Sequence, residues 1–146
     1  MYFSSIRAAI KVILDALATG GTVGVVYNGE QNKQAVQPKA WPAVELVRLD
    51  SRSDFLDNQT DETDFAFDIR IFTQVHHELS QGDAEVEADT VIDAIWAGIM
   101  GDVHLNGLLE NRMRPLVSAR GFQTWNGQNV RMDVIKLACT KLVSLT

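Results

Sequence analysis

Phe65, Phe67, Ile69 and Ile71 alternate with Ala66, Asp68, Arg70 and Phe72. This two-residue period predicts a strand over 65–75 with one buried face and one more polar face. A different period opens the chain. Ile6, Ile10, Ile13, Leu14 and Leu17 fall on one helical stripe, with Arg7, Lys11 and Asp15 away from it, which predicts an amphipathic helix over about Ser4–Ala18. Ser4 or Ser5 is its expected cap, and Gly20-Gly21 its stop.

Between these segments lie a β-rich run, Thr22–Tyr27, a turn signal at Asn28-Gly29 and a polar loop over 30–39. The run Trp41-Pro-Ala-Val-Glu-Leu-Val-Arg-Leu49 reads as a strand, with Val44 and Leu46 opposed to Glu45 and Val47. Pro42 belongs at its start or on an edge, because proline cannot donate to a sheet ladder. An acidic connection, Asp50–Asp64, is expected to be a solvated loop. Caps at Ser80–Asp83 introduce a second helix, about Ala84–Met100, with its apolar stripe at Ile92, Ile95, Trp96 and Ile99 and an end at Gly101.

The last third predicts two strands, Asn111–Gln123 and Gln128–Leu145, joined at Asn126-Gly127, a type I′ turn signal. The centre of the final strand is almost continuously apolar, so it belongs inside the sheet. The expected fold is a single α+β domain over 1–146: a mainly antiparallel sheet with two helices packed on one face, in the order α-β-β-β-α-β-β.

Composition narrows the function. The 146 residues are 46% hydrophobic and 22% charged, with a net charge of −6. These are ordinary globular proportions, and the negative balance argues against a general phosphate-binding surface. No signal peptide is legible at the start, and no apolar run approaches the length of a membrane span. The single cysteine, Cys139, excludes an internal disulfide and sits in an apolar run that implies an inert, buried thiol.

Catalytic chemistry finds little support. His76 and His77 are adjacent and would point to opposite sides of a strand, and His104 is remote, so no metal site is expected. Gly20–Gly24 follows a helix and opens none, which removes the context of a dinucleotide loop. No cofactor is implied, and the chain reads as a non-enzyme.

Surfaces are the better candidates. Asp50, Asp54, Asp57, Asp61, Glu62 and Asp64 face only one opposing cation within the stretch, Arg52. The stretch lacks the glycine of a calcium loop. Its functional reading is a polyanion-repelling surface, with Asp54, Asp57, Asp61 and Glu62 as candidate channel-lining acids. Trp41 and Trp125 beside turns, and Phe72 on the polar face of its strand, either cap the core or anchor an interface. Arg112, Arg114, Arg120 and Arg131 flank the closing hairpin and are candidates to pair with acids of a neighbouring subunit.

The N-terminal helix Ile6–Leu17, the segment Trp41-Pro-Ala-Val-Glu-Leu, the strand Asp64–Val75 with the following helix Glu85–Met100, and the arginine-rich closing hairpin together resemble the tail-terminator, or tail-completion, proteins of long-tailed bacteriophages. The resemblance is one of size, element order and texture over nearly the whole chain, and it carries no residue roles. It implies a structural virion protein assembled in the bacterial cytoplasm. Such a protein forms a homo-hexameric ring, caps the completed tail tube, meets the head connector or neck protein, and lets DNA pass through without specific binding. The competing expectations are another neck or head-completion protein, an unrelated small dimeric binding module, and a small hydrolase.

Overall fold

The alternation at 65–71 produces an apolar sheet face that both helices cover. The computed structural model describes residues 2–34, 37–55, 60–75, 81–109 and 111–144. Its elements are α1 (Tyr2–Thr19), β1 (Val25–Tyr27), β2 (Ala43–Phe55), β3 (Thr60–Gln74), α2 (Gln81–Met100), β4 (Arg114–Trp125) and β5 (Gln128–Ser144). This is the expected α+β order. The five strands lie in the order β1-β2-β3-β5-β4; β1 runs parallel to β2, and the other pairs are antiparallel.

On the covered face Ile6, Ile10 and Leu14 of α1 and Val91, Ile95 and Ile99 of α2 meet Phe65, Phe67, Ile69 and Ile71 of β3. Each such side chain contributes roughly 1.5–3 kcal/mol on full burial. Phe3 stacks edge-on against Phe65 and Phe67, at 4.8 and 5.7 Å between ring centroids. The helices touch closely where Gly98 leaves room for Ile13: a Cβ at 98 would sit 2.7 Å from Ile13 Cγ2. α1 ends in a Schellman arrangement. Gly21 takes a φ of +84° and donates to Ala18, while Thr22 donates to Leu17.

Several boundaries differ from expectation. Ser4 and Ser5 lie inside the first turns of α1, because the helix is already formed at Tyr2. β1 begins only at Val25, since the α1 exit uses Gly20–Val23 to reclaim helix carbonyls. β4 begins at Arg114, after Met113 has bonded back to Val103. Trp96 was expected in the buried stripe of α2 and is instead 37% exposed. Ala84, Ala88 and Val91 take the buried line, because a 20-residue helix laid across a twisted sheet follows one narrow face.

The largest correction concerns the acidic connection. Asp50–Phe55 and Thr60–Asp64 are strand, extending β2 and β3 beyond the core in register, with Asp54 opposite Glu62 and Phe55 opposite Asp61. β5 pairs alongside up to Ser144 opposite Thr60. Backbone pairing across three strands outweighs the low strand propensity of aspartate. β5 lies between β3 and β4, as its apolar centre requires.

Candidate interaction surfaces

The aromatic candidates share one place. On the sheet face away from the helices, Ala43, Phe72, Trp125 and Val130 form a second small core, with Trp41, Val25, Tyr27 and Met132 packed around it. Phe72 and Trp125 are fully buried, their rings edge-on at 4.8 Å. Trp41 is half-buried, 5.9 Å from Trp125. Phe72 and Trp125 therefore have no surface to offer a partner; only Trp41 keeps some.

What seals this cluster is the polar stretch expected to be a loop. Lys33 Nζ lies 5.0 Å from the ring centroids of both Phe72 and Trp125, and 2.8 Å from Glu45 Oε2. The Glu45 side chain is wholly buried and also accepts from the Gln31 amide at 2.6 Å. Asn126 in the hairpin turn donates to the Lys33 carbonyl, and Lys39 donates to the Tyr27 hydroxyl at 3.1 Å. Gly24 allows the chain to close here, since a Cβ at 24 would meet the Trp41 backbone at 2.6 Å. The signal for this arrangement was a glutamate at the centre of an apolar strand, a position that demands a cation.

The four arginines are dispersed. Arg114 donates to Thr140 Oγ1 at 3.0 Å and stands 3.5 Å from Asp64, tying β4 to the acidic end of the sheet. Arg131 is held by Asp133 at 3.0 Å, and that hydrogen bond raises the guanidinium pKa further. Arg112 touches the Met100 sulfur at 3.5 Å and is exposed. Arg120 is exposed beside the register shift between Ala119 and Gly121, on a groove that Glu30, Asp68 and Arg70 also line. Asp68 Oδ1 is buried there with no hydrogen-bond partner among the described residues.

Of the acid candidates, Asp54, Asp61 and Glu62 are brought to the same end of the sheet by the β2–β3 register. Asp57 lies outside the described residues. This end carries Asp50, Asp54, Asp61, Glu62 and Asp64 within the paired strands, together with Arg52, Lys141 opposite Thr63, and the nearby Arg114.

Sites for chemistry are not assembled among the described residues. His76 and His77 fall outside them; His104 Nδ1 lies 3.2 Å from the Leu109 carbonyl. Cys139 is buried, and loss of hydration pushes its thiol pKa up to about 12. The described residues contain no group of three or more potential metal ligands, and no described helix is long and apolar enough to cross a membrane. Comparison with known proteins finds no matching family model and no matching curated protein.

Proposed function

We propose that this chain is a non-enzymatic structural protein of a long-tailed bacteriophage, one that assembles as a ring on the completed tail tube and presents the joining surface to the head connector. The observation that carries the reading is the acidic end of the sheet. There β2 and β3 hold a run of carboxylates in fixed register beyond the last core rung at Phe65. An acidic rim repels a polyanion instead of gripping it, which suits a channel through which DNA must slide. The element order, the two helices on one sheet face and the long sheet edges are compatible with the resemblance noted in the sequence.

Light scattering over a concentration series, with electron microscopy of the same sample and a pull-down on purified tail tubes, tests the proposal. Closed rings that bind tube ends are the expected result. A chain that neither forms rings nor binds tubes removes this reading and favours a small binding module instead.

A further inference from the structure

The charged groove on the sheet face away from the helices holds two polar groups with nothing to bind. Its volume is about 330 Å³, toward the small end of the range for small-molecule sites. β3 lines one side through Asp68 and Arg70, β5 lines the middle through Met132 and Val134, and β4 lines the far side through Arg120.

The first unmatched group is Asp68 Oδ1. The Asp68 side chain is only 9% exposed, and this oxygen has no hydrogen-bond partner among the described residues. Four cations lie in the groove or beside it, and none of them satisfies it. Lys33 is spent on Glu45 at 2.8 Å. Arg70 Nε stops 3.7 Å from the other oxygen, Oδ2, beyond hydrogen-bond length, while its Nη1 reaches Glu30 at 3.3 Å. Lys136, directly opposite Asp68 in register, and Arg120 are both exposed, and Oδ1 receives a hydrogen bond from neither. The second unmatched group is the Arg120 guanidinium, with which no described carboxylate pairs.

A buried carboxylate oxygen without a donor keeps its full desolvation cost. The groove therefore lacks a donor on its β3 side and an acid on its β4 side. Apart from Lys33, which Glu45 neutralises, its charges balance: Glu30 and Asp68 against Arg70 and Arg120. A simple amine would leave Arg120 unmatched, and a simple carboxylate would leave Asp68 unmatched. Two guanidiniums oppose a metal cation. A ligand carrying both signs meets both needs, and Met132 and Val134 between them suit a hydrocarbon.

We propose that this groove binds a free α-amino acid with an aliphatic side chain. Its ammonium donates to Asp68 Oδ1, its carboxylate accepts from Arg120, and its side chain lies on Met132 and Val134. Arg70, whose closer contact is with the largely exposed Glu30, turns toward that residue to admit the ammonium. The site does not depend on the virion reading.

Titrations of the full chain followed through its backbone amides by NMR test the proposal with three matched compounds. L-Norvaline, n-butylamine and pentanoate share one hydrocarbon chain and carry both charges, the ammonium alone and the carboxylate alone. Norvaline should shift the amides around Asp68 and Val134 saturably, and the other two should bind at least about tenfold more weakly. Asp68→Asn keeps the size and removes the charge, and it should weaken norvaline at least about tenfold. Arg120→Gln should weaken norvaline and leave n-butylamine unchanged; its exposed position makes it the deciding variant if circular dichroism shows Asp68→Asn unfolded. Absence of saturable norvaline binding overturns the proposal. Equal binding of n-butylamine or pentanoate does so too, because one charge would then suffice. Unchanged norvaline binding by Arg120→Gln, or by a folded Asp68→Asn variant, has the same consequence.

Discussion

Lys33 Nζ sits 2.8 Å from Glu45 Oε2, and the Glu45 side chain is fully removed from solvent while the same ammonium lies 5.0 Å from the ring centroids of Trp125 and Phe72. One ion pair thus closes the second core and fastens the stretch 31–33 to the sheet. Removing one partner strands the other charge in a dry site. Glu45→Ala and Lys33→Ala should each lose about 3 kcal/mol in urea denaturation followed by tryptophan fluorescence. The double change Lys33→Met with Glu45→Leu should lie within about 1 kcal/mol of the wild type, because it removes both charges and keeps the volume. Additive losses in the double variant would show that the two residues act separately.

Gly98 should behave against helix propensity. Alanine is favoured over glycine in a helix by about 1 kcal/mol, yet its Cβ would sit 2.7 Å from Ile13 Cγ2, a stiff branched methyl. Overpacking of this kind costs about 1–3 kcal/mol. Gly98→Ala should therefore lower the melting temperature, and adding Ile13→Ala should recover part of the loss. A Gly98→Ala variant more stable than the wild type would mean that the helices part without cost.

Cys139 predicts an alkaline loss of stability. Burial raises its pKa from 9.0 to about 12, so the folded state keeps the proton after the unfolded chain has released it. The contribution is intact below pH 9 and is lost as the pH rises from 9 toward 12, at about 1.4 kcal/mol per pH unit. Cys139→Ala should flatten that part of the stability profile. The native thiol should also resist a disulfide reagent at neutral pH until the protein is unfolded.

Neutralising the acidic rim separates charge from fold. A variant with Asp54, Asp57 and Asp61 changed to asparagine and Glu62 to glutamine should keep its thermal stability, with each change worth within about 0.5 kcal/mol. It should gain retention on duplex DNA at low salt, relative to the wild type. Equal behaviour of the two proteins on a DNA column would show that these carboxylates do not keep nucleic acid away.

Much of the fold was legible because it depends on periodicity. The 65–71 alternation, the α1 stripe, the Asn126-Gly127 turn and the apolar centre of β5 each follow from short-range pattern, and each stands in the structure where expected. The acidic stretch was misread for the same reason. Aspartate argues locally for a loop, and nothing within 50–64 reveals that β5, some 80 residues later in the chain, lies alongside it. Trp96 was misplaced, and the choice between core and interface for Trp41, Trp125 and Phe72 stayed open, since a helical wheel or strand alternation identifies a face and leaves open what covers it.

Local pattern in the chain settled the element order, the helix-covered face and the central place of β5, because these rest on side-chain periodicity. Tertiary structure alone decided that Lys33 and Glu45 meet, that Phe72 and Trp125 turn inward, and that the acids form a paired rim. It also left the outer edge of β4, and that of β2 beyond Glu45, without a paired strand among the described residues. Those outcomes depend on which distant segments lie side by side. That choice is set by the whole core finding one arrangement that buries its apolar faces together, a condition no local stretch of chain contains.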